Sequence, residues 1–276
     1  MDTTRRAGLN STALALIPLA IAINIAGGQL VKATRLPIYL DSIGTVITGA
    51  LLGPWIGLLT GLLSNTIWTL IGLDQYALSF APVAGIIGLL AGFVGRAGLF
   101  QRESPRWLSA IFGAAFLFAL TLFVMMFIYK DPDPNAFPPF PSAADLVAQQ
   151  PLIFLLAVIA GGVGGYAVLQ RAGYAGISGL LVGFVAALVS APIATYLFGG
   201  VTGAGTDVLF AAFYSATQNV LTSALAQGSV SDPFDKMTSF IIVWLIMQAL
   251  PRRLLRRFPN TRAVPEDTRP IAATVR

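Results

Sequence analysis

The sequence predicts an all-α protein, a polytopic bundle of transmembrane helices with about six to eight crossings. Three observations predict it. Of 276 residues, 56% are hydrophobic and only 11% charged, where ordinary soluble domains carry about 25% charged residues. Mean hydropathy is +0.78, and apolar runs near the roughly 20 residues that a spanning helix needs recur along the chain. The polar breaks between those runs hold nearly all the charge, sorted by sign. The same composition excludes much chemistry. Cysteine and histidine are both absent, which removes disulfides, thiolate nucleophiles, Cys/His metal sites and imidazole bases.

Taken in order, the first helix runs from about Thr12 to Val31. It is too long for a signal-peptide core and no Ala-x-Ala-like site precedes a polar domain, so it is expected to stay as a transmembrane helix. Further apolar candidates are Ile38–Leu52, Pro54–Leu73, Ala81–Leu99, Trp107–Tyr129, Pro151–Gln170, Tyr174–Leu197, Thr206–Ala226 and Met237–Pro251. The proline-rich stretch from Asp131 to Pro141 reads as an aqueous loop. With a cytoplasmic amino terminus, the inner breaks collect Arg5, Arg6, Arg96, Arg102, Arg106 and Arg171, and the outer ones Lys32, Arg35, Lys130 and most acids, a positive-inside pattern. The net charge of +5 is thus a label of topology and not a nucleic-acid signal.

The Arg-rich end, Arg252 to Arg276, belongs inside by the same rule, which requires an even number of crossings. Thr206–Ala226 is demoted, because Asp207, Tyr214, Ser215, Gln218, Asn219, Thr222 and Ser223 give it a face costly against lipid. It is expected as a re-entrant or interfacial helix on the outer side, leaving eight crossings. Dropping Pro151–Gln170 instead keeps the parity but puts Arg171 outside. Residues 1–251 then form one transmembrane domain, and 252–276 a basic cytoplasmic tail anchored on anionic lipid.

Glycines 49, 53, 57 and 61 recur every fourth residue and lead to Asn65, across a Gly53-Pro54 turn. Small residues at this spacing let helices approach closely. Shorter ladders are Ala22/Ala26, Gly88/Gly92, Gly161/Gly165 and Gly179/Gly183. Each is read first as packing within the bundle, and second as contact with a partner subunit.

Four polar clusters fall on the outer side. They are Lys32 and Arg35 with Tyr39, Asp41 and Ser42; Asp74 to Tyr76; the glycine-rich run Gly199 to Asp207 with Gln218 and Asn219; and Asp232 to Lys236. Mixed charges, amides and aromatics in these positions suit capture of a small polar molecule. Each also has a plainer reading: headgroup contact for Lys32 and Arg35, helix capping for Asp41, and an interfacial ion pair for Asp235 with Lys236. The glycine-rich run lacks the lysine of a phosphate-binding loop. There is no Walker motif and no ladder of intramembrane carboxylates, so any energy must come from a gradient or from partner subunits.

Together, Ala22 to Ala26, Pro37 to Thr45 leading into Gly49 to Gly57 and Gly61 to Asn65, Phe198 to Asp207, and Asp232 to Lys236 resemble the substrate-capture S components of energy-coupling factor (ECF) vitamin transporters. The resemblance spans most of the chain, and the Gly-Pro-x-x-Gly hairpin is its most specific element. It implies a plasma-membrane protein, both termini cytoplasmic, that binds a vitamin or related micronutrient from outside and associates with a transmembrane coupling subunit and two cytoplasmic ATPases. Ala22 and Ala26 match the pair that contacts the coupling subunit. The family core has six crossings, fewer than the eight counted here.

On this reading the capture site draws on Arg35, Tyr39, Asp41, Tyr76, Asp207, Asn219, Asp235 and Lys236. Arg35 or Lys236 would neutralise an anionic group, Asp41 and Asp207 would accept hydrogen bonds, and the tyrosines would cover a flat ring. No catalytic residue, metal or cofactor is expected. The competing readings are a gradient-driven secondary transporter and a membrane enzyme using Asp41 or Asp207.

Overall fold

The structure, a computed structural model, describes residues 11–34, 36–129, 131, 133, 141–167 and 172–261. Among them it is all helix, with no strand. The α-helices are α1 (Ser11–Thr34), α2 (Ile43–Leu52), α3 (Pro54–Leu70), α4 (Ala81–Arg96), α5 (Arg106–Ile128), α6 (Ala143–Gln149), α7 (Pro151–Ala167), α8 (Gly173–Phe198), α9 (Asp207–Thr217), α10 (Val220–Ala249) and α11 (Arg252–Leu255). Short 3-10 turns precede α4 (Ala77–Phe80) and follow α11 (Pro259–Thr261). Arg35, Arg171, most of the proline-rich loop and the arginines beyond Thr261 lie outside the described residues.

Two groups of helices meet face to face. α1 to α4 pack on one another, α8 packs on α10, and the halves join through α4 against α8 and α2 against α10. The shared core includes Val46 and Leu51 of α2, Ile87 and Ala91 of α4, Val182 and Ala186 of α8, and Phe240, Val243 and Trp244 of α10. α5 and α7 form a separate pair whose main link to the rest is α8. Leu152, Leu155, Leu156 and Val163 of α7 stay exposed, an apolar face suited to lipid.

Close glycine packing explains the ladders. A Cβ at Gly57 would lie 2.3 Å from the Gly88 carbonyl oxygen, and one at Gly88 would lie 2.1 Å from that of Gly57. α3 and α4 thus touch backbone to backbone. Gly161 and Gly165 seat α7 on Gly113 and Ser109 of α5, and Gly179 and Gly183 seat α8 on Lys236, Met237 and Pro233 of α10. Gly53 turns the chain at φ 105°, and Pro54 opens α3, so Gly57 folds back to within 2.7 Å (Cβ to Cα) of Gly49. Ala22 and Ala26 differ from every one of these: both are exposed.

Among the described residues, four segments are long and apolar enough to cross a membrane by themselves: Leu14–Thr34, Ala77–Arg96, Arg106–Met126 and Gly173–Phe198. α6 and α7 would make a fifth span only as one broken pair, bent by 96°. The candidate Ile38–Leu52 shrinks to the 10-residue α2, about 15 Å at 1.5 Å per residue, because residues 36–42 descend to it without helical structure. Non-helical backbone at such depth is tolerated where protein buries it or it lines a cavity.

Three boundaries differ from expectation. Thr206–Ala226 is not one helix: the chain breaks at Gln218 (φ 51°), separating α9 from α10. Asp232 to Lys236 is not an outer loop before a last helix over Met237–Pro251. It lies near the middle of the 30-residue α10, in spite of Pro233, because its charges are buried there, Asp235 and Lys236 paired with each other and Asp232 held by the hydroxyls of Ser231 and Ser190. Residues just past Pro251, expected in the basic cytoplasmic tail, pack on the bundle: Phe258 is buried in the main core and Asn260 donates to the carbonyls of Gly49 and Gly92, both at 3.3 Å.

Candidate functional site

A cavity of about 150 Å³ opens where the carboxyl ends of α1, α3 and α8 meet the start of α4 and the amino half of α10. Its floor is ionic. Lys236 reaches from α10 to Asp235 Oδ2 (2.5 Å), Ser42 Oγ (2.9 Å) and Asp41 Oδ1 (3.2 Å). Those three contacts use all three N–H groups of the ammonium. Asp235 is fully buried, and its other oxygen accepts the backbone N–H groups of Tyr39 (3.1 Å) and Leu40 (2.8 Å). The pair Asp235–Lys236 therefore pins residues 39–42 at mid-bundle, with Leu40 held at φ 47°, a conformation that costs a branched side chain energy.

A second chain of hydrogen bonds runs up one wall. Tyr39 Oη pairs with Thr206 Oγ1 (2.9 Å) and accepts from Gln227 Nε2 (3.2 Å), which also donates to Ser231 Oγ (2.9 Å). Ser231 donates to Asp232 Oδ1 (3.1 Å), and Ser190 of α8 to Asp232 Oδ2 (3.2 Å). Asp232 is 4% exposed, lines the cavity, and has no Lys or Arg nitrogen within 4.0 Å among the described residues.

Aromatic rings close the sides. Trp68, Tyr76 and Phe80 line the cavity, and Phe198 buttresses Tyr76 edge-on at 5.0 Å and Phe80 in a stack at 5.8 Å. Gly28 is what lets Trp68 lie there, since a Cβ would come 2.1 Å from the indole. Lys32 and Asp74 pair at 2.9 Å at the partly exposed rim, and Asp74 also accepts from the Tyr76 and Ala77 backbone, capping the turn before α4. The far end of the bundle is basic, with Arg96 closing α4 and Arg252 and Arg253 in α11.

Comparison with known protein families, curated proteins and solved structures returns no match. The site is therefore read from its own geometry.

Tyr39, Asp41, Tyr76 and Lys236 line the cavity, with Asp235 directly behind Lys236. Asp207 stands away from it: its carboxylate accepts from Thr202 N, Thr202 Oγ1 and Gly203 N, folding the loop whose residues 202–205 form part of the wall. Asn219 is also elsewhere, exposed and capping α10 by accepting from Thr222 N at 2.9 Å. Arg35 is outside the described residues.

Sequence reasoning passed over Ser190, Gln227 and Asn24; Asp232 it placed in a polar cluster, Asn65 at the end of the glycine ladder and Trp68 among rings available for stacking, without assigning them to the site. Gln227, Ser231, Asp232, Asp235, Lys236 and Ser239 share one buried face of α10, a helical period hidden once the chain is cut at Pro233. Asn24 is a lone amide in an apolar run. It is fully buried, donates to Thr45 Oγ1 (2.7 Å) and Ser64 Oγ (3.1 Å), and accepts from Gly44 N (2.7 Å) at the start of α2. Polar residues within such segments are costly enough to flag a purpose.

Proposed function

We propose that this chain is a substrate-capture S component of an ECF-type importer, taking up a vitamin or similar micronutrient. The observation that carries the reading is the cavity itself: polar at its floor, aromatic at its sides, and built at one end of an apolar bundle from helix ends and loops, as pockets for small ligands are. The basic opposite end supports an outward-facing cavity through the positive-inside rule. Ala22 and Ala26 support a partner. They lie exposed on α1 beside Leu19 and Leu30, whereas the glycine ladders are filled from within the chain.

The test is co-reconstitution with a coupling subunit and its two ATPases, using the molecule that co-purifies with the chain in native mass spectrometry. Uptake is expected to need ATP. Ala22→Trp with Ala26→Trp is expected to abolish uptake while leaving occupancy of the cavity unchanged. Uptake that follows an ion gradient without those subunits would overturn the reading. It would favour the second one, a secondary transporter, for which non-helical backbone beside charged groups at mid-bundle is the supporting observation.

A further inference from the structure

The capture reading leaves the ligand's chemistry open, and the charges around the cavity narrow it. From α1 comes Lys32, from residues 36–42 Asp41, from the turn before α4 Asp74, and from α10 Asp232 and Lys236. α8 and the loop 199–206 contribute no charge among the described lining residues. Lys236 has its three donors taken by Asp41, Asp235 and Ser42, and Lys32 pairs with Asp74 at the partly exposed rim. Asp232 is left with two serine hydroxyls, which satisfy only part of a carboxylate's accepting capacity. Lys236 attracts it only across a gap longer than an ion pair; a buried carboxylate with no cation in contact is expensive, and a cation arriving with the ligand would relieve it.

A second, independent observation points the same way. Asn65 is 5% exposed and lines the cavity, yet its amide has no hydrogen-bond partner among the described residues. Its neighbours are satisfied without it: Ser64 by Asn24, and Thr66 by the Leu62 carbonyl. The amide oxygen is thus free to accept an N–H. The rings of Trp68, Tyr76 and Phe80 present faces that attract cations and cover flat groups.

We infer that the cavity takes a small aromatic cation, with Asp232 as its counter-ion and Asn65 as a hydrogen-bond partner for an N–H at its edge. This rests on the capture reading and assigns its substrate class. It departs from the sequence expectation that Lys236 meets an anionic group, because Lys236 has no donor left.

The test uses the purified full-length chain and three probes that share a benzyl group, cationic benzylammonium, neutral benzyl alcohol and anionic phenylacetate, with binding followed by calorimetry. The wild type is expected to bind benzylammonium at least tenfold more tightly than phenylacetate. Asp232→Asn should remove that preference, lowering benzylammonium affinity tenfold or more and leaving benzyl alcohol within twofold. Asn65→Leu, which keeps the branched shape and removes the amide, should weaken benzylammonium about fivefold and keeps the idea testable if the first variant does not fold. A wild type that prefers phenylacetate, an Asp232→Asn protein that binds benzylammonium as the wild type does, or an anion co-purifying in the cavity would each overturn the cation assignment and leave the capture reading standing. If no probe binds and no small molecule co-purifies, both fall together.

Discussion

Asp235 uses its two oxygens for different ends. One meets the ammonium of Lys236 and the other collects two backbone N–H groups from a segment with no helix to satisfy them. Asp235→Ala would leave a buried ammonium partly paired and two amides without acceptors. Breaking a buried pair from one side costs about 3–5 kcal/mol, and a loss of that size is expected in chemical unfolding in detergent micelles. Adding Lys236→Met should recover part of the loss, since the stranded charge is gone while the two amides stay unpaired. A double mutant no more stable than the single would show that Lys236 is not the group being stranded. At this scale the sequence named Tyr39, Asp41, Tyr76 and Lys236, which the structure brings around one cavity. Adjacency in sequence does not reveal that three acceptors converge on the Lys236 ammonium.

Among elements, small residues decide which helices meet. Gly88→Ala places a methyl group 2.1 Å from the Gly57 carbonyl oxygen, so α3 and α4 must separate, at a cost of about 1–3 kcal/mol. Gly164→Ala, with nothing within 4 Å of the new Cβ, should be neutral or stabilising by up to about 1 kcal/mol from helix propensity. Thermal unfolding of the two variants side by side checks the contrast. The ladders were legible in the sequence as packing surfaces because a four-residue period returns to one helix face. Their partners were not: nothing in Gly57 indicates Gly88. α10 shows the limit from the other side. Charges and a proline near its middle read as an interruption, yet the helix continues because α8 covers that stretch, with Gly183 against Pro233, and residues 36–42 supply its counter-charges.

For the whole molecule, the segment after Pro251 is part of the bundle and not only an anchor. Phe258 is 4% exposed and joins the core that spans α2, α4, α8 and α10. Phe258→Ala should cost about 3–5 kcal/mol, as large core truncations do. Changing Arg252 and Arg253 to Gln should leave the unfolding midpoint within a few degrees, because both side chains are exposed. Composition and apolar run length determined by themselves that this is a helical membrane protein, since lipid admits few backbone solutions and demands long apolar segments. The alternation of charge marked which end of the bundle is basic. Only the tertiary structure decided the site. The carboxylate with no cation in contact and the amide with no partner among the described residues, and the ring laid on a glycine, depend on which groups meet across α1, α3, α8 and α10. Those meetings arise from packing between residues as much as 196 positions apart in the site, which no local pattern encodes.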